Sequence, residues 1–482
     1  MTRTSKYELS GEGIAEFTGG TLLCGAGLYA TTGASIDTRT MVQGQVYFAI
    51  RGPRFDGHDF VESACEKGAA GVVVSSSAVN SDAVRRVIAS GRCFVVEVSD
   101  TTEALISSAR SWLSILSPRV IAITGSIGKT TTTALTFAAV SSTFVTHVTS
   151  GNYNNRLGVA LTCLGLRPRH EVLVVEMGMN APGEIAELCT IAPPDVAIVT
   201  TVAPVHLEGL KTIEGVAAAK AELVDALDED GVAILNTDDP LVAAMASRSR
   251  GKVAWFGRDP RSEVRVLDVG CASDGATIVK YGIDGVVRTV RLKLVGVHNA
   301  MNAAAAIQAA IQVGVDPEIA CQSLGGVEPG RHRMQLCDLG TIRMIDDCYN
   351  ASPRSMLAAL DALVMLSASR RKVAVLGDML EMGEQTEQVH REIGRAVAER
   401  GVALFIAVGR NAAVLAESAI SAGMDPARVF EAQDSLAAAA LAREMLVPRD
   451  VVLVKASRGV GLELVTDAIR ARFESRDVEV GN

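Results

Sequence analysis

The 482-residue chain lacks several features that would assign its class at once. It has no uninterrupted apolar run of about 18 residues, so we expect no helix that spans a membrane. Its nine cysteines never form a C-x-x-C pair, which favours reduced, buried thiols over disulfides or a zinc site. The first eight residues contain no apolar run, so we expect no signal peptide. These absences predict a protein of a reducing compartment, the cytoplasm.

Blocks of like charge are also absent. The formal net charge is −9, and no stretch concentrates lysine and arginine into a basic stripe. Nucleic-acid surfaces gain affinity from such clusters because they displace counterions, so we expect no nucleic-acid partner. No feature of the sequence indicates an obligate protein partner. With 48% hydrophobic residues, the chain is long enough for about three globular domains.

Short apolar runs alternate with helical segments along most of the chain, a pattern typical of buried parallel sheets. The runs lie at 119–124, 143–149, 171–176, 195–200 and 231–236, and again at 342–347, 372–377, 403–408 and 450–455. A strand-rich stretch at 253–294 predicts an antiparallel edge or subdomain. We expect an α/β protein of three domains: a small N-terminal α/β domain (1–116), a central domain with a parallel sheet (117–328) and a Rossmann-like C-terminal α/β domain (329–482).

The most specific local motif is a strand, a glycine-rich turn and a helix at residues 120–132. Glycines let successive backbone N–H groups converge on phosphate oxygens, and the helix N-terminus adds positive charge. Lys129 can reach the β- and γ-phosphates of a nucleotide, and the Thr130 hydroxyl can bind Mg²⁺. The usual G-x-x-x-x-G-K-[ST] spacing would need glycine at Ile123, so the loop is the shorter G-x-x-G-K-T. The alternative to a nucleotide site is a chance glycine-rich turn.

Three further residues are candidates for a metal and acid–base site beside that loop. Glu176 ends one apolar run and His206 follows another, so a parallel sheet would place both at the edge that carries the loop. A carboxylate and an imidazole there can bind Mg²⁺ that accompanies ATP, although each alone has a simpler reading as a capping or structural residue. Lys220 lies in an apolar helical stretch. It is either a lysine whose stem covers the helix face or one held near the metal with a lowered pKa.

These motifs together resemble those of the Mur ligases over essentially the whole chain. The matching segments are 125–131 (GSIGKTT), 151–158 (GNYNNRLG), 176–185 (EMGMNAPGEI), 206–208 (HLE) with Lys220, 235–239 (LNTDD), 296–302 (GVHNAMN), 329–331 (PGR), 346–353 (DDCYNASP), 377–381 (GDMLE) and 455–458 (KASR). Chance does not produce so many matches in one order.

The resemblance implies an ATP-dependent, ADP-forming ligase that joins a carboxylate to an amine through an acyl phosphate, with ATP and Mg²⁺ as cofactors. Within the family, residues 346–351 fit best the members that add D-alanyl-D-alanine to a UDP-N-acetylmuramoyl tripeptide in peptidoglycan synthesis. The D-N-P-R segment typical of the diamino-acid-adding members is absent. Two alternatives stay open: another ligase of this type, folylpolyglutamate synthase included, or a phosphate-loop NTPase that acts as a switch without ligation.

The resemblance also implies roles for individual residues. The catalytic residues would be Lys129, Glu176, His206 and Lys220, and the Mg²⁺ ligands would be Thr130, Glu176, His206 and a carbamylated Lys220. The nucleotide would contact Gly125, Ser126, Ile127, Gly128, Lys129, Thr130, Thr131, Asn299, Asn302, Arg331 and Asp346 or Asp347. The UDP-sugar substrate would contact Ser35, Asp37 and Arg39 in the N-terminal domain, with Asn154, Asn155 and Arg156 on the path to the phosphates.

The chain departs from the family pattern in three places. Residues 210–212 read LKT where an aromatic residue and Gly-Ser are common, Ala456 replaces a glycine and Cys348 replaces a serine. The spacing of 14 positions from His206 to Lys220 is unchanged, so the metal site is still expected. The departures concern the positioning of the incoming dipeptide.

Overall fold

The computed structural model describes residues 9–205, 207–272 and 274–474. In these ranges the strands form sheets of five, nine and six strands in chain order, together with a two-stranded sheet near the N-terminal end. Helices cover the sheets. The α/β class and the three-domain organisation predicted from the sequence are confirmed. No helix in the described part of the chain is long and apolar enough to cross a membrane.

The N-terminal region is built on the five-stranded sheet, in the order β2-β7-β6-β5-β4. Strands β4 to β7 are parallel and β2 is antiparallel to β7. Its elements are β1 (Leu9–Ser10), α1 (Gly11–Thr18), β2 (Thr21–Cys24), β3 (Tyr29–Ala30), β4 (Ala34–Ser35), β5 (Val46–Phe48), α2 (Val61–Glu66), β6 (Gly71–Ser75), α3 (Asp82–Ser90), β7 (Phe94–Val98) and α4 (Thr101–Leu116). Asp100 caps α4, because its carboxylate accepts hydrogen bonds from the N–H groups of Thr102 and Glu103.

The central region is built on the nine-stranded sheet, in the order β16-β15-β14-β13-β12-β11-β8-β10-β9. Its elements are β8 (Arg119–Thr124), α5 (Lys129–Ser141), β9 (Thr146–Val148), α6 (Arg156–Leu164), β10 (Val172–Glu176), α7 (Glu184–Ile191), β11 (Val196–Val199), α8 (Leu207–Leu210), α9 (Ile213–Asp225), β12 (Val232–Asn236), α10 (Pro240–Ala243), β13 (Lys252–Gly257), β14 (Val264–Cys271), β15 (Thr277–Ile283), β16 (Val286–Leu292), α11 (His298–Gln312) and α12 (Pro317–Ser323).

The antiparallel part of this sheet is smaller than the sequence predicts. Strand β13 pairs in parallel with β12, and β14 pairs in parallel with β13, so only the β14-β15-β16 meander is antiparallel. For β13 the physical reason is the helical stretch from α10 to residue 248, which is long enough to return the chain for a parallel pairing with β12. The parallel pairing of β14 with β13 extends over two residues of each strand. The predicted run at 143–149 is also longer than the strand observed there, β9.

The C-terminal region is built on the six-stranded sheet, in the order β17-β18-β22-β19-β20-β21. Only β17 is antiparallel to its neighbour. Its elements are β17 (Gln335–Leu339), β18 (Ile342–Asp346), α13 (Pro353–Ser367), β19 (Lys372–Gly377), α14 (Thr386–Glu399), β20 (Leu404–Val408), α15 (Ala412–Ser421), β21 (Val429–Ala432), α16 (Ser435–Met445), β22 (Val451–Lys455) and α17 (Glu463–Phe473).

The three larger sheets mark three regions of the chain, but the hydrophobic cores group these regions into two packed units. One continuous cluster joins the N-terminal and central regions, with Phe94 and Trp112 on one side and Leu161 on the other. Two further clusters lie on the two faces of the C-terminal sheet and take almost all their members from that region. Because apolar burial is what holds such elements together, the first two regions form one packed unit. A cleft separates that unit from the C-terminal region.

Candidate active site

The site lies at the point where the central sheet reverses its strand order. Strand β8 is flanked by β11 on one side and β10 on the other, and the loop that follows β8 emerges at their shared carboxyl edge. At such a point the connections after two neighbouring strands leave towards opposite sides of the sheet, and a crevice opens between them. Open α/β sheets bind their ligands in this crevice. The register pairs Glu176 with Ile123, so the carboxylate of Glu176 stands beside the start of the loop.

The loop at residues 125–128 is shaped by two glycines with positive φ. Gly125 has φ +149°, and a Cβ there would lie 1.9 Å from Oγ1 of Thr200. Gly128 has φ +89°, and a Cβ there would lie 2.4 Å from Oδ1 of Asn302. The loop is tied to the neighbouring strand end because Ser126 N–H donates to Thr201 O at 2.8 Å. The backbone therefore forms the cradle that a phosphate group needs.

Lys129 begins α5 at the rim of this cradle. Its Nζ donates to Gly125 O at 2.8 Å. Burial lowers the pKa of Lys129, the Glu176 carboxylate raises it, and the positive charge of Arg333 lowers it. Three charged groups from two regions of the chain therefore converge on one place, where an anion would be stabilised by Lys129 and Arg333.

Glu176 is buried at the end of β10, with 2% of its surface exposed. Asn154 orients it, because its Nδ2 donates to Glu176 Oε1 at 2.7 Å. An oriented, buried carboxylate beside a phosphate cradle is a fitting ligand for a divalent cation, and the hydroxyl of Thr130 lines the same cavity. His206 lies outside the residues that the structure describes.

Lys220 lies on α9 and is 2% exposed, so it is not a surface lysine. Within residues 9–205, 207–272 and 274–474 its amine makes no hydrogen bond or ion pair. Burial, with the nearby charge of Lys129, moves the pKa of Lys220 well below its ordinary range. Burial disfavours the charged form of the amine, which is compatible with the carbamate that the family resemblance implies.

One cavity of about 1010 Å³ brings most of the predicted nucleotide residues together. It is lined by the phosphate loop, Glu176, Asn299 and Asn302 from the central region, and by Asp347 from the C-terminal region. The two asparagines share the first turns of α11, where Asn302 Nδ2 donates to Asn299 Oδ1 at 3.0 Å. The cavity is therefore the cleft between the two packed units, not a pocket within one of them.

Two predicted nucleotide residues lie away from the cavity. Arg331 is exposed and does not line it, whereas Arg333 does. The chain reverses between them at His332, which has φ +59°, a turn that the sequence did not reveal. Asp346 is fully buried and points into the domain, where Arg470 Nη2 donates to its Oδ2 at 3.2 Å. Successive residues of an extended segment face opposite sides, so Asp347 alone faces the cleft.

The predicted substrate residues fall into two groups. Asn154, Asn155 and Arg156 line the cavity, where Asn155 caps α6 and Arg156 is paired with Glu103 at 2.6 Å and Glu187 at 2.7 Å. Ser35, Asp37 and Arg39 do not line it. They form a local cluster in which Arg39 Nη2 lies 2.7 Å from Asp37 Oδ2.

Several cavity residues were missed by the sequence analysis. The side chains concerned are Arg333, Arg354, Tyr349, His298, Lys455 and Arg458. Four of these residues lay within matched segments, but nothing in the sequence indicated that their side chains face the cavity: His298, Tyr349, Lys455 and Arg458. Two of the three departures are accommodated: Cys348 donates to Asp346 Oδ1 at 3.2 Å, as a serine hydroxyl could, and Ala456 is fully buried.

Comparison with known proteins identifies the family. Three family models match the chain: the Mur ligase family catalytic domain at residues 31–112, the Mur ligase middle domain at 123–310 and the Mur ligase glutamate ligase domain at 332–458. The UDP-N-acetylmuramoyl-tripeptide–D-alanyl-D-alanine ligase of Bacillus subtilis is 36% identical over 91% of the chain and 93% of its own length. The chain belongs to the Mur ligase family.

Other relatives match at least nine tenths of the chain. The ligase of the same name from Escherichia coli is 32% identical over 90% of the chain and 92% of its own length. Among solved structures, MurF from Acinetobacter baumannii matches with a TM-score of 0.81 at 27% identity, covering 96% of this chain and 99% of its own. MurF ligase from Thermotoga maritima in complex with ADP matches with a TM-score of 0.76 at 28% identity, covering 92% and 99%.

Proposed function

We propose that this Mur ligase joins D-alanyl-D-alanine to a UDP-N-acetylmuramoyl tripeptide, converting ATP to ADP and phosphate in peptidoglycan precursor synthesis. One observation carries the proposal: the phosphate loop, Glu176 and the C-terminal Arg333 face a single cleft between two packed units. The cleft can bring a nucleotide held by one unit to an acceptor held by the other. The relatives that match over nine tenths of the chain carry the name of this reaction.

The reaction begins with attack of the tripeptide carboxylate on the γ-phosphate of ATP, which gives an acyl phosphate and ADP. The amine of the dipeptide then attacks the acyl carbon, loses a proton and displaces phosphate. Both first-step reactants are anions, so the main barrier is their repulsion. Lys129, Arg333 and the N–H groups of the loop are positioned against that repulsion before the substrates meet.

Mg²⁺ would be held by Thr130 and Glu176, with His206 and the carbamate of Lys220 for a second ion. When bound, Mg²⁺ supplies positive charge that screens the phosphates. Carbamylation would add CO₂ to the amine of Lys220 with release of a proton, and the resulting anion is suited to a metal. Asn154 orients Glu176 for the same task.

We also propose which region of the chain binds each substrate. We place the domain boundaries at 116/117 and 328/329, with the UDP-sugar on the N-terminal domain around Ser35, Asp37 and Arg39. Asn299 and Asn302 would contact the adenine side of the nucleotide, and Asp347 would approach it from the C-terminal domain. We expect the enzyme to work in the cytoplasm, where ATP and the UDP-linked precursor are available.

A phosphate-release assay tests the function. Purified protein with ATP and Mg²⁺ should release phosphate only when both the UDP-N-acetylmuramoyl tripeptide and D-alanyl-D-alanine are present. Single amino acids offered in place of the dipeptide should give less than a hundredth of that rate. Turnover that ignores the acceptors would identify an NTPase switch, and turnover with a single amino acid would identify another member of the family.

A further inference from the structure

Some of the cationic side chains that line the cleft form no ion pair within the described ranges, although acidic residues such as Glu176 and Asp238 line it as well. Its lining includes Lys129, Arg156, Arg333, Arg354, Lys455 and Arg458. Arg156 is neutralised by Glu103 and Glu187, and Lys455 by Asp347 at 2.7 Å. By contrast Arg333, Arg354 and Arg458 form no ion pair with any residue in the described ranges. Unpaired guanidinium groups that line a cleft are available to anionic ligands.

Two of these three arginines lie on the nucleotide side of the cleft. Arg333 and Lys129 line the same cleft, and Lys129 begins the helix that follows the phosphate loop. Burial lowers the pKa of His298, the first residue of α11, and the charge of Arg354 lowers it further. Asn299 follows His298 and lines the same side. Both arginines therefore lie near residues of the central region, which carries the phosphate loop.

Arg458 has different surroundings. Its guanidinium carbon lies 5.4 Å from the centroid of the Tyr349 ring, which holds it at the cleft. The preceding residue, Ser457, accepts a hydrogen bond from Leu380 N–H at 3.0 Å, so Arg458 and Leu380 are held side by side. Leu380 lines the cleft and is 43% exposed, so an apolar surface beside Arg458 is open to a ligand in the cleft.

We propose that Arg458 binds the carboxylate of the incoming dipeptide, and that Leu380 contacts its methyl groups. The proposal rests on the function proposed above. The guanidinium carbon of Arg333 lies 3.8 Å from the centroid of the same Tyr349 ring, so this ring contacts both arginines. An extended dipeptide spans about 7 Å. With its carboxylate on Arg458, a dipeptide directed along the cleft towards Arg333 would extend its amine into the part of the cavity that Lys129 also lines.

Substitution of Arg458 by glutamine tests this assignment. The variant should raise KM for D-alanyl-D-alanine by roughly 10- to 100-fold, the loss expected for a charge-assisted hydrogen bond, and leave KM for ATP and the UDP substrate near wild type. Arg458→Lys should recover part of the loss. Arg428→Gln, at an exposed arginine of the same domain, is the matched control and should behave as wild type.

The decisive comparison uses a dipeptide without its charge. Wild type should prefer D-alanyl-D-alanine over its C-terminal amide by roughly 10- to 100-fold, whereas Arg458→Gln should use both equally. If Arg458→Gln keeps the wild-type preference, the carboxylate binds elsewhere and the inference is wrong while the proposed function stands. If wild type shows no dipeptide-dependent turnover at all, the proposed function fails and this inference fails with it.

Discussion

The side-chain amide of Asn154 lies 2.7 Å from Oε1 of Glu176 and fixes the orientation of that buried carboxylate beside the phosphate loop. Asn154 precedes α6 and Glu176 ends β10, so the contact joins two segments that the chain separates by 22 positions. It gives Glu176 one fixed direction without neutralising its charge. The geometry is that of a carboxylate prepared for a cation.

Glu176→Gln should therefore lower kcat by about 10²–10³, the usual loss when one preorganised electrostatic group is removed. Glutamine keeps the shape and the contact with Asn154 but cannot neutralise Mg²⁺. The Mg²⁺ concentration for half-maximal phosphate release should rise as well. Glu171→Gln, just before the other end of the same strand, is the control. Unchanged Mg²⁺ dependence in Glu176→Gln would remove this residue from the metal site.

Gly128→Ala should weaken ATP binding by more than tenfold. An alanine there must adopt φ +89°, and its Cβ would lie 2.4 Å from Oδ1 of Asn302, so the loop must shift. Gly151→Ala is a matched control, because Gly151 also has positive φ, +59°, but nothing within 4 Å of the added Cβ. Calorimetric titration with ATP compares the two. Equal affinities would mean that the cradle does not depend on this close approach.

Lys220→Ala should lose at least 10² in kcat and regain part of it with a small added carboxylate such as acetate. The removed side chain leaves a buried space in which the added anion replaces the carbamate. Lys220→Arg should be inactive and should not be rescued, because a guanidinium is not converted to a carbamate. Lys280→Ala, an exposed lysine on β15, serves as control. Full activity of Lys220→Ala without additive would contradict the proposed carbamate.

His147 should make the free energy of unfolding depend on pH. Burial lowers the pKa of His147 to about 4, and the His170 ring stacked at 5.1 Å adds to the effect. In the unfolded chain the imidazole titrates near 6.5, so between pH 4 and 6.5 the unfolded state binds more protons. Stability from this residue is complete above pH 6.5 and is lost as pH falls towards 4, by roughly 3 kcal/mol.

Denaturant titrations at pH 7 and pH 4.5 check this prediction. His147→Gln keeps a donor for Thr162 O, which His147 Nε2 contacts at 3.1 Å, but removes the titrating group. The variant should therefore lose less stability than wild type between the two pH values. Equal losses would mean that His147 is not the group responsible.

Much of this protein could be predicted from its sequence because the relevant signals are local. Apolar runs predicted the strands β8, β10, β11 and β12 to within a residue at each end, since a strand buried on both faces leaves no polar positions. The segment 125–131 predicted the phosphate loop, because positive φ and close backbone approach both need glycine. These features depend on a few consecutive residues.

Local sequence signals did not predict which charged side chains face the cleft. The sequence favoured Arg331, but the left-handed backbone at His332 leaves Arg333 facing Lys129. It also left Asp346 and Asp347 as equals, and only the end of β18 decides that Asp347 faces the cleft. Nor did it assign Arg458 a position, since the stacking of Arg458 on Tyr349 joins residues 109 positions apart.

The sequence by itself determined the fold class, the family and the phosphate loop, because each is encoded in short segments whose backbone geometry or burial admits few residue types. Only the tertiary structure decided which charges face the cleft and which are neutralised within the fold. That outcome depends on how separate units pack against one another, and charges interact through space over distances that have no relation to their spacing along the chain.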